Sequence, residues 1–522
     1  MRRIADTKGG LFHGASSWIL GHEGFRRWHD TDDARLLWVK GDPGKGKTML
    51  LITAVEALEQ EVERPPTATE DTENTALSYF FCQATEEKLN NAVAVLRGLV
   101  YLLCAQQPWL ASHLRARYDQ AGTKLFNDAN TFYSLARVLE SILCDKRLKR
   151  LYLVVDALDE CVVGRDQLLR LISDHAVASS RIKWIVSSRN VPEIEDALEI
   201  NSPDDSGGYA ASAGSDITLS LEVTQNAEQV ERAVEAFIDH KLSNIRSLHA
   251  EQKTKRQLQD AIRKKANGTF LWVALVVNEL GKAPSYRMLE LVEKVPATLE
   301  AFYALMMDSA RQSNEREWEH CQLVLAAAAL AYRPLHLAEL AMVSGLPPDI
   351  FAGHANRVQE VIALCGSFLT VREGVVYLIH QSVQDYLKDK AAAAIFPSGI
   401  GRVHREIFTR SVEGLSTGLR RDIYGLLHPG VPISDVKTPE PDPLATLRYS
   451  CIHWARHFCD AASAGSLEVT DLETIDRFIR GFFIYWLEAI SLLRSMPASI
   501  VSIQQLSAFL EVSGKLTIVN TC

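Results

Sequence analysis

The chain has 522 residues, is 47% hydrophobic and carries a formal net charge of −9 with acids and bases interspersed. At roughly 100 to 200 residues per domain its length predicts three or four modules, and its charge argues against a dedicated binder of nucleic acid or anionic membrane, which needs a basic face. No apolar run approaches the ~20 residues needed to cross a bilayer, no secretory leader follows the initial MRRIADTKGG, and nine scattered cysteines without paired spacing fit free thiols in a reducing cytosol better than disulfides or zinc. A cytoplasmic protein without a transmembrane segment is expected.

Apolar runs bounded by turn residues predict buried strands at Leu36–Val39, Leu77–Phe81, Leu151–Val155, Trp184–Val186 and Ile217–Val223. Helical patterns lie between them, over Thr48–Val62, Asn91–Gln107 and Phe132–Leu143. Strands alternating with such helices predict a parallel sheet covered on both faces. The polar stretches Pro65–Asn74 and Asn201–Asp216 read as surface loops.

After Val223 the pattern turns helical. Val230, Val234, Phe237, Ile238 and Leu242 share one face behind Asn226, which is expected to cap the helix while Gln229 reaches back. Further on, Phe368–Val371 and Val375–Ile379 flank Arg372–Gly374 as a hairpin with helical patterns on both sides, the arrangement of a wing. From about Pro397 the chain reads helical, most strongly over Asp442–Phe458 and Ile475–Leu493, and no internal repeat is found. The fold class expected is multidomain α/β plus α: a P-loop parallel sheet core, then a helical domain, a winged helix and a C-terminal helical region.

The chemistry concentrates at Gly41, Asp42, Pro43, Gly44, Lys45, Gly46, Lys47, Thr48 and Met49. This stretch fits GxxxxGK[ST] between a strand and a helix, where glycines let backbone N–H groups curl around phosphate oxygens, Lys47 neutralises the outer phosphates and Thr48 joins a magnesium shell. ATP or GTP with Mg is the cofactor expected. In LYLVVDALDEC, Asp156 ends a buried strand and is the second magnesium partner. Asp159 and Glu160 follow; either can polarise a water for attack on the terminal phosphate, with Asp159 preferred, although acids at a helix N-terminus account for one of them equally well. Arg189, at the end of KWIVSSRN, can reach a γ-phosphate or pair with Glu193 or Glu195.

Taken together these residues resemble a NACHT-type nucleotide-binding domain of the signal-transducing STAND ATPases. The motif DALDE carries the resemblance beyond the phosphate loop, as do SSWILGHEGFRRWH, SYFFCQATEEKLNNAVAVLRGLVYLL and KANGTFLWVALVVNEL, which look like NACHT proteins of filamentous fungi, including the vegetative-incompatibility group. The resemblance implies domains at 1–30 (lead segment), 31–225 (NTPase core), 226–295 (small helical domain), 296–395 (winged helix) and 396–522 (C-terminal helical region). YLIHQSVQDYL is similar to the winged-helix motif whose histidine touches the β-phosphate of a bound diphosphate, a role that would fall on His380, with Gln381 in place of the usual aspartate. Where related proteins carry a proline that packs on adenine, this chain has Thr269 and Phe270, and Trp18 and Ile19 are alternative cover for the base.

The family reading implies a switch, off with diphosphate and on with triphosphate, that self-associates when active, hydrolyses slowly and acts with unknown sensor and effector proteins in non-self recognition or programmed cell death. A continuously cycling ATPase and a nucleotide-stabilised scaffold are the alternatives. Family members carry an effector domain before the core and repeats behind it; the sequence read here has neither, as expected of a truncated form, a fragmentary gene model or a receptor core with separate partners. Between Gly353 and Lys390 four basic residues balance four acidic ones, so nucleic acid is not an expected partner of the wing.

Overall fold

The structure, a computed structural model of the chain, describes residues 13–63, 74–122, 124–128, 130–199, 217–249, 251–312, 315–347, 355–428 and 430–512. The stretches 65–73 and 201–216, read above as loops, lie outside them. The chain divides into two compact units, Met1–Leu299 and Glu300–Cys522.

In the first unit five strands form one parallel sheet: β1 (Leu36–Lys40), β2 (Thr75–Phe81), β3 (Arg150–Asp156), β4 (Ile182–Ser188) and β5 (Ile217–Ser220), in the order β2-β3-β4-β1-β5. Every residue of β4 and all but the first of β3 are buried, as expected of central strands packed on both faces. Helices follow at Lys47–Val62, Ala92–Gln106, Thr131–Leu143 and Arg165–Ala178. Asn91 caps the second of these, its Oδ1 accepting from Ala94 N at 2.8 Å. Because the strands run the same way, Lys40 pairs with Ser188 and Phe81 with Asp156. The carboxyl ends of β1, β3 and β4 therefore open on one edge, where ligands of open α/β sheets are held.

Burial explains two unusual side chains. Lys183 lies on β4 with no exposed surface, its ammonium donating to the carbonyls of Thr31 and Ala34, and burial draws its pKa down to about 8. Trp38 on β1 donates from Nε1 to Ser188 Oγ at 2.9 Å, so the adjacent strands share a polar pin inside the core.

After β5 come helices Thr224–Ser243, Gln252–Ala266, Phe270–Gly281 and Ser285–Lys294. The capping read for Asn226 is corrected: the helix starts at Thr224, and Asn226 lies inside its first turn. Its amide donates to Ser220 O at 2.8 Å while its Oδ1 bonds His22 Nε2 at 2.8 Å, tying the helix to β5 and to the segment before the sheet.

The second unit contains an antiparallel sheet of β6 (Leu335–His336), β7 (Leu369–Arg372) and β8 (Val375–Leu378), in the order β6-β8-β7. Glu373 and Gly374 turn the hairpin with φ of 49° and 76°. With helices Glu315–Leu330, Leu337–Ser344, Ala355–Leu364 and Gln381–Asp389 around it, this is a winged-helix architecture. Buried Glu339 caps the helix Leu337–Ser344 by accepting from His336 N at 2.8 Å, and it pairs with both terminal nitrogens of Arg333 at 2.7 and 2.8 Å.

Four longer helices complete the unit: Ile400–Gly418, Arg448–Ser463, Val469–Leu492 and Met496–Val512, packed around Phe408, Trp454, Phe458, Phe478 and Trp486. The expected helix from Asp442 begins only at Arg448. Asp442 instead shapes the turn before it, accepting from Leu444 N at 2.9 Å and pairing with Arg448. Among the described residues of 419–447 there is neither helix nor strand, which departs from the helical reading of this stretch. No helix among the described residues is long and apolar enough to cross a membrane.

Candidate functional site

The loop Gly41–Gly46 leaves β1 and runs into the helix that starts at Lys47. Gly44 and Gly46 take φ of 80° and 90°, values open to glycine and costly for side chains, and the tight curl aims the helix N-terminus into the loop. Gly41 is confined differently, since a Cβ there would come within 3.0 Å of Glu222 Oε1 and 3.1 Å of Leu221 Cβ. Glu222 accepts from Asp42 N at 2.7 Å and from Ser220 Oγ at 3.2 Å, so the second residue after β5 holds the loop's first turn. Lys47 folds along the loop, its ammonium donating to Gly41 O and, at 3.0 Å, to Asp42 O. Thr48 is buried.

Asp156 lies at the end of β3 with 1% of its surface exposed. Its Oδ1 accepts from Ser187 Oγ at 2.5 Å, and the same Ser187 oxygen accepts from Ala157 N at 2.9 Å. Ala157 sits at φ 57°, ψ 56°, a left-handed backbone that a larger or branched side chain would strain further. The small residue of DALDE thus has a local cause: the chain turns sharply after the aspartate while Ser187 fixes the carboxylate.

Asp159 and Glu160 occupy a short 3-10 turn, Leu158–Glu160. Asp159 pairs with Arg189, Oδ2 lying 3.0 Å from Nε, and its Oδ1 accepts from Arg189 N at 3.0 Å. Glu160 Oε2 accepts from Ala84 N at 3.0 Å. Of the partners weighed for Arg189, Glu195 instead pairs with Lys40 at 2.8 Å. All eight cysteines among the described residues are free, and two sit beside the site. Cys82 N donates to Asp156 O at 3.1 Å, and the Cys82 thiol is pushed well up by its hydrogen bond with Cys161 and by burial.

The segment Asn267–Leu271 packs against the phosphate loop, with the Phe270 ring facing Gly46. Upstream, Ile19 is fully buried and Trp18 packs edge-on to His22 at 5.9 Å. In the second unit His380 caps the helix Gln381–Asp389: Nδ1 accepts from Ser382 N at 3.1 Å, which puts the proton of the neutral ring on Nε2. Gln381 turns along its own helix, donating to Gln384 Oε1 at 3.0 Å and Asp385 Oδ1 at 3.2 Å.

The donor set of the first unit fits a magnesium nucleotide: curled backbone amides and one lysine for phosphate, one hydroxyl and one carboxylate for the ion. Among the described residues no group of three or more His, Cys, Asp or Glu is placed to hold a metal. Glu222 and Ser187 were not singled out as site elements from the sequence, because each acts across more than 25 positions and no local spacing marks it; Thr269 and Phe270 were noted for the base, but the packing of their segment on the phosphate loop was not foreseen.

A family model described as Nephrocystin 3, N-terminal, matches residues 14–189. The vegetative incompatibility protein HET-E-1 of Podospora anserina is 43% identical over 541 residues, an alignment covering 99% of this chain and 38% of that protein. Among solved structures, a Walker-type ATPase of Pyrococcus abyssi is 13% identical over 70% of this chain and 95% of its own, with a TM-score of 0.33. The ORC1 protein of Aeropyrum pernix, solved in complex with DNA, is 13% identical over 73% and 93%, with a TM-score of 0.29. The chain spans about two fifths of the curated relative it matches, and the similarity to that vegetative incompatibility protein runs through almost the whole of this chain.

Proposed function

We propose that this chain is a nucleotide-controlled signalling switch. It binds ATP or GTP with magnesium, rests with diphosphate, opens and self-associates with triphosphate, and hydrolyses slowly as a reset, in fungal non-self recognition or programmed cell death. The observation that carries the reading is the junction at one sheet edge of the loop Gly41–Thr48, Asp156 held by Ser187, and the Arg189–Asp159 pair. Similarity to a vegetative incompatibility protein supports the biological setting.

The roles follow from the chemistry of the side chains. Loop amides, Lys47 and the first turn through Met49 hold phosphate; Thr48 and Asp156 hold magnesium, which when bound neutralises charge on the phosphate oxygens. Asp159, or Glu160 beside it, orients a water, and Arg189 exchanges Asp159 for a terminal phosphate. His380, with its proton on Nε2, donates to a diphosphate. The domains 1–30, 31–225, 226–295, 296–395 and 396–522 are the parts that such a switch would move.

Swinging a two-state protein from 1:99 to 99:1 takes ~5.5 kcal/mol of differential binding, and charge-assisted hydrogen bonds contribute ~1.5 to 3 kcal/mol each. Two or three contacts made in one state only are therefore sufficient. The test is nucleotide binding and sedimentation of Lys47→Ala and His380→Ala. The first variant loses nucleotide and the second assembles without a trigger; if both bind and sediment like the parent, the reading fails.

A further inference from the structure

Three consecutive residues of the phosphate loop are engaged one by one by a segment more than two hundred positions away. Gly44 O accepts from Leu271 N at 3.4 Å. Lys45 Nζ donates to Asn267 O at 2.7 Å. Gly46 lies so close to Phe270 that a Cβ on it would sit 2.9 Å from the ring, and one on Gly44 would sit 2.8 Å from Leu271 Cβ. The absence of side chains at 44 and 46 allows the approach, and the lysine between them bridges it.

The two loop lysines point to different tasks. Lys47 donates within the loop, to Gly41 O and Asp42 O. Lys45 reaches outward to a carbonyl whose residue, Asn267, takes the left-handed backbone (φ 49°) that ends the helix Gln252–Ala266. Beyond this contact the segment is firmly tied to its neighbours. Phe270 packs edge-on to Phe237 at 5.4 Å, Trp272 Nε1 donates to Pro296 O at 2.8 Å, and Lys265 Nζ donates to the carbonyls of Val292, Glu293 and Val295 at 3.0, 2.7 and 2.9 Å. The segment thus links the loop to the helices after β5.

We propose that Lys45 is a positioning residue, a latch that couples the conformation of the phosphate loop to the helical segment 224–295, rather than a ligand of phosphate. The coupling role rests on the reading that the loop takes a nucleotide; the latch itself does not.

Full-length parent, Lys45→Met, Lys45→Arg and Lys47→Ala chains are compared for binding of a fluorescent ADP with magnesium, and for amide hydrogen exchange over residues 267–273 with and without ADP. In the parent, ADP slows exchange there at least about tenfold. In Lys45→Met, exchange at Leu271 without nucleotide rises at least about fivefold and the slowing at saturating ADP is lost; Lys45→Arg restores both. Two results overturn the proposal: unchanged exchange in Lys45→Met, or loss of ADP binding in that variant to the level of Lys47→Ala. A parent that binds no ADP would instead overturn the nucleotide reading, and the nucleotide-free exchange would still decide the latch.

Discussion

Arg189 closes on Asp159 twice, through its guanidinium Nε at 3.0 Å from Oδ2 and through its backbone N donating to Oδ1 at 3.0 Å. Arg189 directly follows β4 and Asp159 sits just past the aspartate that ends β3, so the pair joins two neighbouring strand ends beside the phosphate loop. The acid proposed to orient water and the base proposed to sense the terminal phosphate satisfy one another in this arrangement. On the proposed roles, hydrolysis would require them to part, and the pair would act as a brake.

Asp159→Asn keeps the shape and removes the charge. Triphosphate hydrolysis in single turnover is expected to fall by roughly a hundredfold, the lower range for a positioned general base, with nucleotide affinity little changed. Arg189→Ala leaves the Asp159 carboxylate, 8% exposed, without its charged partner, and is expected to lower stability by about 3 kcal/mol in denaturant unfolding. A hydrolysis rate in Asp159→Asn equal to that of the parent would transfer the water-orienting role to Glu160.

Ser187→Ala removes the donor to Asp156 and the acceptor of Ala157 N–H together. A buried amide left unpaired costs about 1 to 3 kcal/mol, and the loosened carboxylate raises the magnesium concentration needed for half-maximal nucleotide binding. A magnesium titration with unchanged midpoint would show that Asp156 needs no such support.

Gly46 and Phe270 are expected to be energetically coupled. Gly46→Ala places a methyl group at φ 90° and against the ring, costing at least about 1 kcal/mol from the backbone alone. Phe270→Ala removes the clash but not the backbone strain, so the double variant recovers part of the loss, with a coupling of ~0.5 to 3 kcal/mol in a double-mutant cycle. Strict additivity would contradict the contact.

Two histidine sites, one in each unit, answer pH in opposite directions. In the first, the hydrogen bond from His29 to Glu61 at 2.7 Å raises the His29 pKa above 6.5; this stability is complete below pH 6.5 and is lost as pH rises through the raised value. In the second, burial pushes His404 down to about 4 and His453 and His457 well below 6.5. These rings are packed with Tyr332, Tyr449, Asp460 and Arg456, and Lys388 and Arg333 also act on them. The folded state binds fewer protons there, so stability is complete above pH 6.5 and falls as pH drops towards 4. His404→Gln should flatten that acid loss by about one proton's slope in melts between pH 6.5 and 4; an unchanged slope would remove His404 from the account.

Strands buried on both faces were readable because each is a continuous apolar run, and β1 to β4 fall within three residues of their sequence-based limits at either end. The hairpin β7–β8 was readable from Glu373 and Gly374 between two alternating runs. The two-residue β6 carries no run at all and was invisible. Asp442–Phe458 misled because apolar residues at helical spacing continue upstream of the true start, while Asp442 is spent on Leu444 and Arg448. The phosphate loop was legible as a local motif whose geometry is set by its own glycines. The partner of Arg189 was not, since Asp159 is thirty positions away while Glu193 and Glu195 lie within helical reach. Asn226 carried the signature of a cap, yet tertiary bonds to Ser220 and His22 claimed its side chain.

The proposed switch requires that nucleotide state set assembly. Sedimentation velocity of the full chain, first with ADP and magnesium and then with a non-hydrolysable triphosphate, tests this most directly. A single-chain mass with ADP, a multiple of it with the triphosphate, and no change in Lys47→Ala are predicted. The same mass and shape in both nucleotides would contradict the switch.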